Sequence, residues 1–172
     1  MTNMNKALFL DRDGVINYDF GYVYEIDKFI FRNEIFKICQ VAQNKGYMIF
    51  VITNQAGIGR GKFSESDFNY INEYMISEFN SKGIKIQKTF YCPYHPLYGK
   101  GKYLKSSYDR KPNPGMLLKA IKEFNINVHQ SIMIGDKETD HIASIRSGID
   151  FYVDASKPNW VSKFLEILFE LF

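Results

Sequence analysis

Ala7-Leu8-Phe9-Leu10-Asp11-Arg12-Asp13-Gly14 decides how this chain is read. A short apolar run leads straight into two carboxylates spaced two apart, and a glycine closes the stretch. Such a run reads as a buried strand. In extended chain, alternate side chains share a face, so Asp11 and Asp13 point the same way. Two like charges that close repel strongly unless a cation lies between them. The pair therefore suggests a divalent-metal site with a carboxylate to spare for chemistry.

The arrangement recurs along the chain. Tyr47-Met48-Ile49-Phe50-Val51-Ile52 ends in Thr53-Asn54-Gln55. Ser131-Ile132-Met133-Ile134-Gly135 ends in Asp136-Lys137-Glu138-Thr139-Asp140. Open α/β sheets bind ligands outside the carboxyl ends of their strands. Three such ends would build one polar, metal-binding pocket. Strands are expected near 6–10, 47–52, 87–91, 130–134 and 150–153. Helices are expected near 33–45, 64–80, 113–124, 137–146 and 158–170. This alternation argues for an α/β fold, a parallel sheet with helices on both faces. Ser64, with Asp67 three residues on, resembles a capping box. Pro114 suits a first helical turn. The 172 residues are read as one domain, 1–172,.

Composition excludes several classes. The net charge of +3 is mild and demands no nucleic acid, and a small anionic substrate fits it,. The two cysteines, Cys39 and Cys92, imply no disulfide framework, so a reducing, cytoplasmic setting is the default,. Met1-Thr2-Asn3-Met4-Asn5-Lys6 lacks the apolar stretch of a secretory leader,. The segment from Phe164 to Phe172 is too short to cross a bilayer, and Glu166 and Glu170 form one polar stripe on its helix,. No membrane partner is expected. The apolar side of that helix is assigned to the sheet rather than to a dimer contact, so a monomer is expected.

Two segments lie outside the sheet pattern. Residues 14–31, rich in Tyr and Phe, read as a flap over the strand ends. Residues 92–112 form a loop whose length points to function. It carries Lys100, Lys102, Lys105, Arg110 and Lys111 against one acid, Asp109, which suits a polyanionic substrate. Gly57-Ile58-Gly59-Arg60-Gly61-Lys62 tempts a nucleotide-loop reading. Ala56 stands where that motif needs Gly, and Phe63 where it needs Ser or Thr, so the reading is rejected,.

Taken together, Asp11-x-Asp13-Gly14, Thr53-Asn54, Arg110-Lys111-Pro112 and Gly135-Asp136-x-x-x-Asp140 resemble the four ordered motifs of haloacid dehalogenase-type phosphatases. The match spans residues 7–140. Asp11 to Asn17, Gly21-Tyr22-Val23, Thr53 to Ile58 and Arg110 to Met116 look like the subgroup of heptose-bisphosphate and histidinol-phosphate phosphatases. The resemblance implies a Rossmann-like, haloacid dehalogenase-like fold. Spans of 13–53 and 53–110 leave no room for a large cap domain.

The resemblance also implies roles. Asp11 is the nucleophile that forms an aspartyl-phosphate, and Asp13 is the general acid and base. Mg²⁺ is held by Asp11, the Asp13 backbone carbonyl and Asp136. Thr53 and Lys111 hold the phosphoryl oxygens. Arg12, Asp19, Gly21, Tyr22, Asn54, Gln55, Arg110 and Lys137 are assigned to substrate binding. Asp140 either orients its neighbours or caps its helix. Many members of the subgroup carry a zinc loop, Cys-x-His followed by Cys-x-Cys. Here Cys92 is kept, but Tyr94, Ser107 and Asp109 replace the other ligands. A structural zinc wants four ligands, so none is expected. Cys92 is then a free thiol and His95 a loop-packing residue.

The substrate implied is a small phosphorylated sugar, with histidinol phosphate or another small phosphomonoester as the alternative. A nucleic-acid end-processing phosphatase would need a long basic stripe or a kinase loop, and the chain has neither. A non-catalytic binding module would lack the nucleophile, a metal ligand or the motif lysine, and all are present.

Overall fold

Five parallel strands form one sheet in the order β3-β2-β1-β4-β5. They are β1 (Lys6–Leu10), β2 (Tyr47–Asn54), β3 (Ile86–Cys92), β4 (Ile132–Gly135) and β5 (Phe151–Asp154). The helices are α1 (Ile35–Asn44), the single turn α2 (Ala56–Gly59), α3 (Glu65–Ser81), α4 (Gly115–Glu123), α5 (Glu138–Arg146) and α6 (Trp160–Glu170). This computed structural model describes residues 4–171. Met1, Thr2 and Asn3 of the leader reading, and Phe172 of the C-terminal segment, lie outside the described residues.

Central β1 is apolar without alternation because both of its faces are covered. Leu8 and Leu10 face a core closed by α1, α3 and α6, through Ile38, Ile71, Met75 and Phe164. Ala7 and Phe9 face a second core closed by α4 and α5, through Met116, Leu117 and Ala143. Cys39 is buried in the first core. Helix α6 lays Trp160, Phe164, Ile167 and Leu168 inward and leaves Glu166 and Glu170 exposed, as its polar stripe requires.

Helix and strand ends differ from expectation by one or two residues, and some of those shifts matter. Strand β2 runs on through Thr53 and Asn54, so these are strand residues rather than loop. Pro114 stands just before α4 as its N-cap rather than in its first turn. Ser64 caps α3 in a reciprocal box with Asp67. The short α2 was not expected, because its Gly-rich sequence reads as loop. Chain reversal occurs between β1 and β4, where crossovers leave in opposite directions. Such a switch point opens a crevice at the carboxyl ends of the strands.

Candidate active site

The crevice is a cavity of about 390 Å³ lined just beyond β1 by Asp11 and Asp13, at the end of β2 by Asn54 and Gln55, and from the long loop by Arg110 and Lys111. That size suits a small polar ligand. Register explains the convergence. Leu10 pairs with Val51 on one side and Ile134 on the other, so Asp11 emerges between the ends of β2 and β4. The Asp11 N–H donates to the Ile134 carbonyl at 3.0 Å, which continues the ladder one residue beyond the strand.

Asp11 is buried, and one of its oxygens accepts from the Arg12 N–H at 2.7 Å. The same Oδ1 lies 3.0 Å from the Lys111 ammonium. Lys111 is buried too. Its Nζ also donates to the Ile52 carbonyl at 2.7 Å and pairs with Asp140 at 2.6 Å. Burial pushes the Asp11 carboxyl up to about 7 against the pull of Lys111, with Asp140 adding to the rise. For Lys111, burial acts to weaken the charge, but Asp11 and Asp140 outweigh it and hold the ammonium above the ordinary lysine range. Asn54 fixes the lysine's backbone. Its side chain accepts from the Lys111 N–H and donates to the Lys111 carbonyl, both at 3.0 Å.

Asp140 is fully buried and does both things expected of it. Its Oδ1 pairs with Lys111, and its Oδ2 accepts from the Asp136 and Lys137 N–H groups at 3.2 and 3.1 Å, capping α5. A Cβ on Gly135 would lie 2.3 Å from the Asp140 Cβ, so only glycine lets this carboxylate tuck under the strand end. Gly14 is bound the same way. Its φ is +92°, and a Cβ there would lie 2.2 Å from Asp136 Oδ2,.

Asp11, Asp136 and Asp140 each bring an oxygen within 4.8 Å of the others. Burial raises Asp136 above its usual range. Its Oδ1 is shielded from solvent and has no hydrogen-bond partner. An orphaned carboxylate oxygen among hard oxygen donors fits a small divalent cation such as Mg²⁺. The Asp13 carboxylate faces elsewhere, so any share it has in a cation site would come through its backbone carbonyl.

Asp13 is held by three donor groups. Arg12 reaches it at 2.9 and 3.0 Å, Asn17 at 3.0 Å and Gln55 at 3.0 Å. Gln55 also donates to the buried Thr53 hydroxyl at 2.9 Å. Arg12 is not a cavity residue, which corrects its assignment to substrate binding. Its guanidinium lies under the floor at 1% exposure, between the rings of Phe29 and Phe68.

The flap supplies Asp19, Gly21 and Tyr22 to the cavity wall. Asp19 is tied to Lys137 at 3.2 Å and to the Gly21 N–H at 2.9 Å. Against partial burial, these partners hold the Asp19 carboxyl below the usual range. Asp11, Asp136 and Asp19 in turn raise the Lys137 ammonium against its own burial.

Comparison with known proteins follows the same lines. A phosphatase of Burkholderia mallei, D-glycero-alpha-D-manno-heptose-1,7-bisphosphate 7-phosphatase, is 48% identical over 84% of this chain and 77% of its own length. The beta-anomer phosphatase of Pasteurella multocida is 46% identical over 81% of this chain and 76% of its own. The haloacid dehalogenase-like hydrolase model matches residues 103–153. This chain belongs to the haloacid dehalogenase-like hydrolases. The solved D,D-heptose 1,7-bisphosphate phosphatase of B. bronchiseptica, complexed with magnesium and phosphate, superposes with a TM-score of 0.75. It is 26% identical, covering 85% of this chain and 78% of that one.

Within this haloacid dehalogenase-like hydrolase, the loop lysines depart from expectation. Lys102 pairs with Glu65 at 3.7 Å, and Lys105 sits 4.1 Å from the Tyr94 ring centre, so neither lines the cavity. The second arginine of the wall is Arg60, which sequence reasoning missed. Its only signal was the Gly-rich segment rejected as a nucleotide loop. Arg60 donates to the Tyr22 hydroxyl at 3.1 Å and stacks on Tyr98, and Arg110 donates to the Tyr94 carbonyl at 3.3 Å. Of the four positions of the family's zinc loop, Asp109 is paired with Lys119, the Ser107 hydroxyl accepts from the Asp109 N–H at 3.2 Å, and Cys92 is a free, buried thiol. His95 accepts the Leu97 and Tyr98 N–H groups through Nδ1, which makes it a turn residue of the loop.

Proposed function

We propose that this chain is a Mg²⁺-dependent phosphatase that removes the C7 phosphate of D-glycero-D-manno-heptose 1,7-bisphosphate, in nucleotide-activated heptose biosynthesis. The single observation that carries the reading is Asp11. It is a buried carboxylate at a strand end, paired with Lys111 and clustered with Asp136, in a chain 48% identical to such a phosphatase.

In this reading Asp11 attacks phosphorus, and the bond from phosphorus to the sugar oxygen breaks. Asp13 gives its proton to the departing oxygen, then takes one from the water that cleaves the aspartyl-phosphate. Lys111 and Thr53 hold the phosphoryl oxygens where negative charge spreads. Asn54 keeps the Lys111 backbone in place, and Gln55 orients both Thr53 and Asp13. Asp11 and Asp136 would hold Mg²⁺, with Asp140 as a buried support. When bound, the cation supplies charge that offsets repulsion between the nucleophile and the phosphate. Arg110 and Arg60 line the outer wall, have no carboxylate partner among the described residues, and suit the phosphate that is not cleaved. Asp19, Tyr22 and Lys137 close the mouth around the sugar.

The described residues contain no helix long and apolar enough to cross a membrane. With two free, buried cysteines, the chain is read as a cytoplasmic monomer that acts without nucleic acid. Steady-state kinetics on both anomers of the heptose bisphosphate, beside heptose 7-phosphate and histidinol phosphate, test the assignment. A bisphosphate preference in kcat/KM supports it. Equal handling of histidinol phosphate or the monophosphate refutes the heptose-bisphosphate assignment and leaves a phosphatase of other specificity.

A further inference from the structure

Arg12 has the largest of the fully buried side chains described. A buried cation is costly, and an apolar residue of similar volume often packs as well or better. Here Phe29 and Phe68 flank the guanidinium with ring centres 5.7 and 5.8 Å away. One guanidinium nitrogen, Nη1, is buried with no partner. The arrangement is therefore poorly explained by stability alone.

The remaining donors have two targets. Nε lies 3.2 Å from Asp13 Oδ1, and Nη2 reaches Oδ1 at 2.9 Å and Oδ2 at 3.0 Å. Nη2 also donates to the carbonyl of Val23 in the flap at 2.7 Å. One rigid, planar group thus joins the Asp13 carboxylate to the segment that closes the cavity. Asn17 and Gln55 complete the grip, and both are anchored themselves, to the Tyr18 carbonyl and the Thr53 hydroxyl.

We propose that Arg12 is a positioning residue that aims the Asp13 carboxyl at the departing oxygen and ties that aim to the seated flap. The proposal rests on the reading of Asp13 as general acid. As the phosphorus–oxygen bond breaks, the Asp13 proton passes to the departing oxygen and the carboxylate left behind keeps its donors. It then faces the incoming water in the same orientation. Misplacing a proton donor by about 1 Å can cost about 10²-fold in rate.

The test separates substrates by leaving group. A sugar phosphate needs a proton on its departing alkoxide, whereas p-nitrophenyl phosphate releases a stable phenolate without one. The readout is the first turnover, release of the leaving group as the aspartyl-phosphate forms, because the later hydrolysis uses Asp13 as base with either substrate. Arg12→Met should lower that first-turnover rate on the sugar phosphate by about 10²-fold, within the range general acid catalysis supplies. On the aryl phosphate it should change the first-turnover burst of p-nitrophenolate by less than about threefold. Arg12→Lys keeps the charge and the stem but not the two-pronged grip, so it should show a smaller split in the same direction. Asp13→Asn serves as the reference. If its first-turnover rates fall equally on both substrates, the acid assignment falls and this proposal with it. If it shows the split while both Arg12 variants lose the two substrates equally, or lose neither, Arg12 is scaffold and the proposal alone is overturned. Activity on the aryl ester also reports that each variant has folded.

Discussion

Lys111→Met removes an ammonium placed between two buried carboxylates, and its cost follows from the geometry. Asp11 and Asp140 are 5% and 0% exposed, and each touches Nζ, at 3.0 and 2.6 Å. Breaking a buried pair by deleting one partner commonly costs about 3–5 kcal/mol, because the remaining charge is stranded. Here protonation limits the damage. Asp11 already sits at about 7 with its lysine present, so without it the carboxyl is mostly neutral at neutral pH. A loss near the lower end, about 3 kcal/mol, is expected. For a domain of this size that lowers Tm by about 6–12 °C. The sign with pH is fixed by linkage. The folded-state pKa of Asp11 lies above its unfolded value, so the native state holds the proton more tightly and stability falls as pH rises toward about 7,. Removing Lys111 raises that pKa further, so the deficit should grow from pH 6 to pH 8. Thermal unfolding in EDTA, at both pH values, measures it without a cation taking the lysine's place. A drop under about 2 °C at both pH values, or a larger drop at pH 6, refutes the argument.

Asp11→Asn should keep the fold and abolish turnover; substantial residual activity would sink the covalent mechanism. Arg110→Ala should narrow the preference for bisphosphate over monophosphate by one to two decades, since a charge-assisted hydrogen bond is worth about 1.5–3 kcal/mol. An unchanged ratio in kcat/KM would remove Arg110 from recognition of the second phosphate. Elemental analysis of untagged protein should find well below one zinc per chain, and stoichiometric zinc resistant to chelator would show that Cys92 and its neighbours have found another geometry.

Asp11, Thr53 and Asp136 were legible because each ends an apolar run, and parallel strands deliver their carboxyl ends to one edge. Lys111 was one of five cations of a basic loop, and its place at the phosphoryl oxygens came only through the family resemblance. Nothing in Arg110-Lys111-Pro112 itself says that the lysine turns inward, and Asn54, 57 residues away in sequence, holds it there. Arg60 was hidden for a related reason. Its Gly-rich surroundings read as loop, and only the docking of α2 against Pro93 and Tyr103 brings it to the wall. The basic loop misled in the opposite sense. Five cations crowd its sequence, but Lys102 and Lys105 are drawn off by Glu65 and Tyr94, and only Arg110 and Lys111 reach the cavity.

Hydrophobic period and strand-end chemistry are local properties, and they gave away the α/β architecture and the carboxylates gathered at its strand ends. Side-chain direction beyond a strand end is not local. Arg12 stands between two acids of the leading motif and reads as a substrate contact. Phe29 and Phe68, from segments far along the chain, enclose its guanidinium beneath the floor instead. Asp140 likewise reads equally well as a cap or a support, and it became both only when the long loop placed Lys111 2.6 Å from its carboxylate. A lone sequence specifies which charges exist. Which of them are desolvated, and against what partner, depends on contacts closed by distant segments, and desolvation is what sets the energy of a charge.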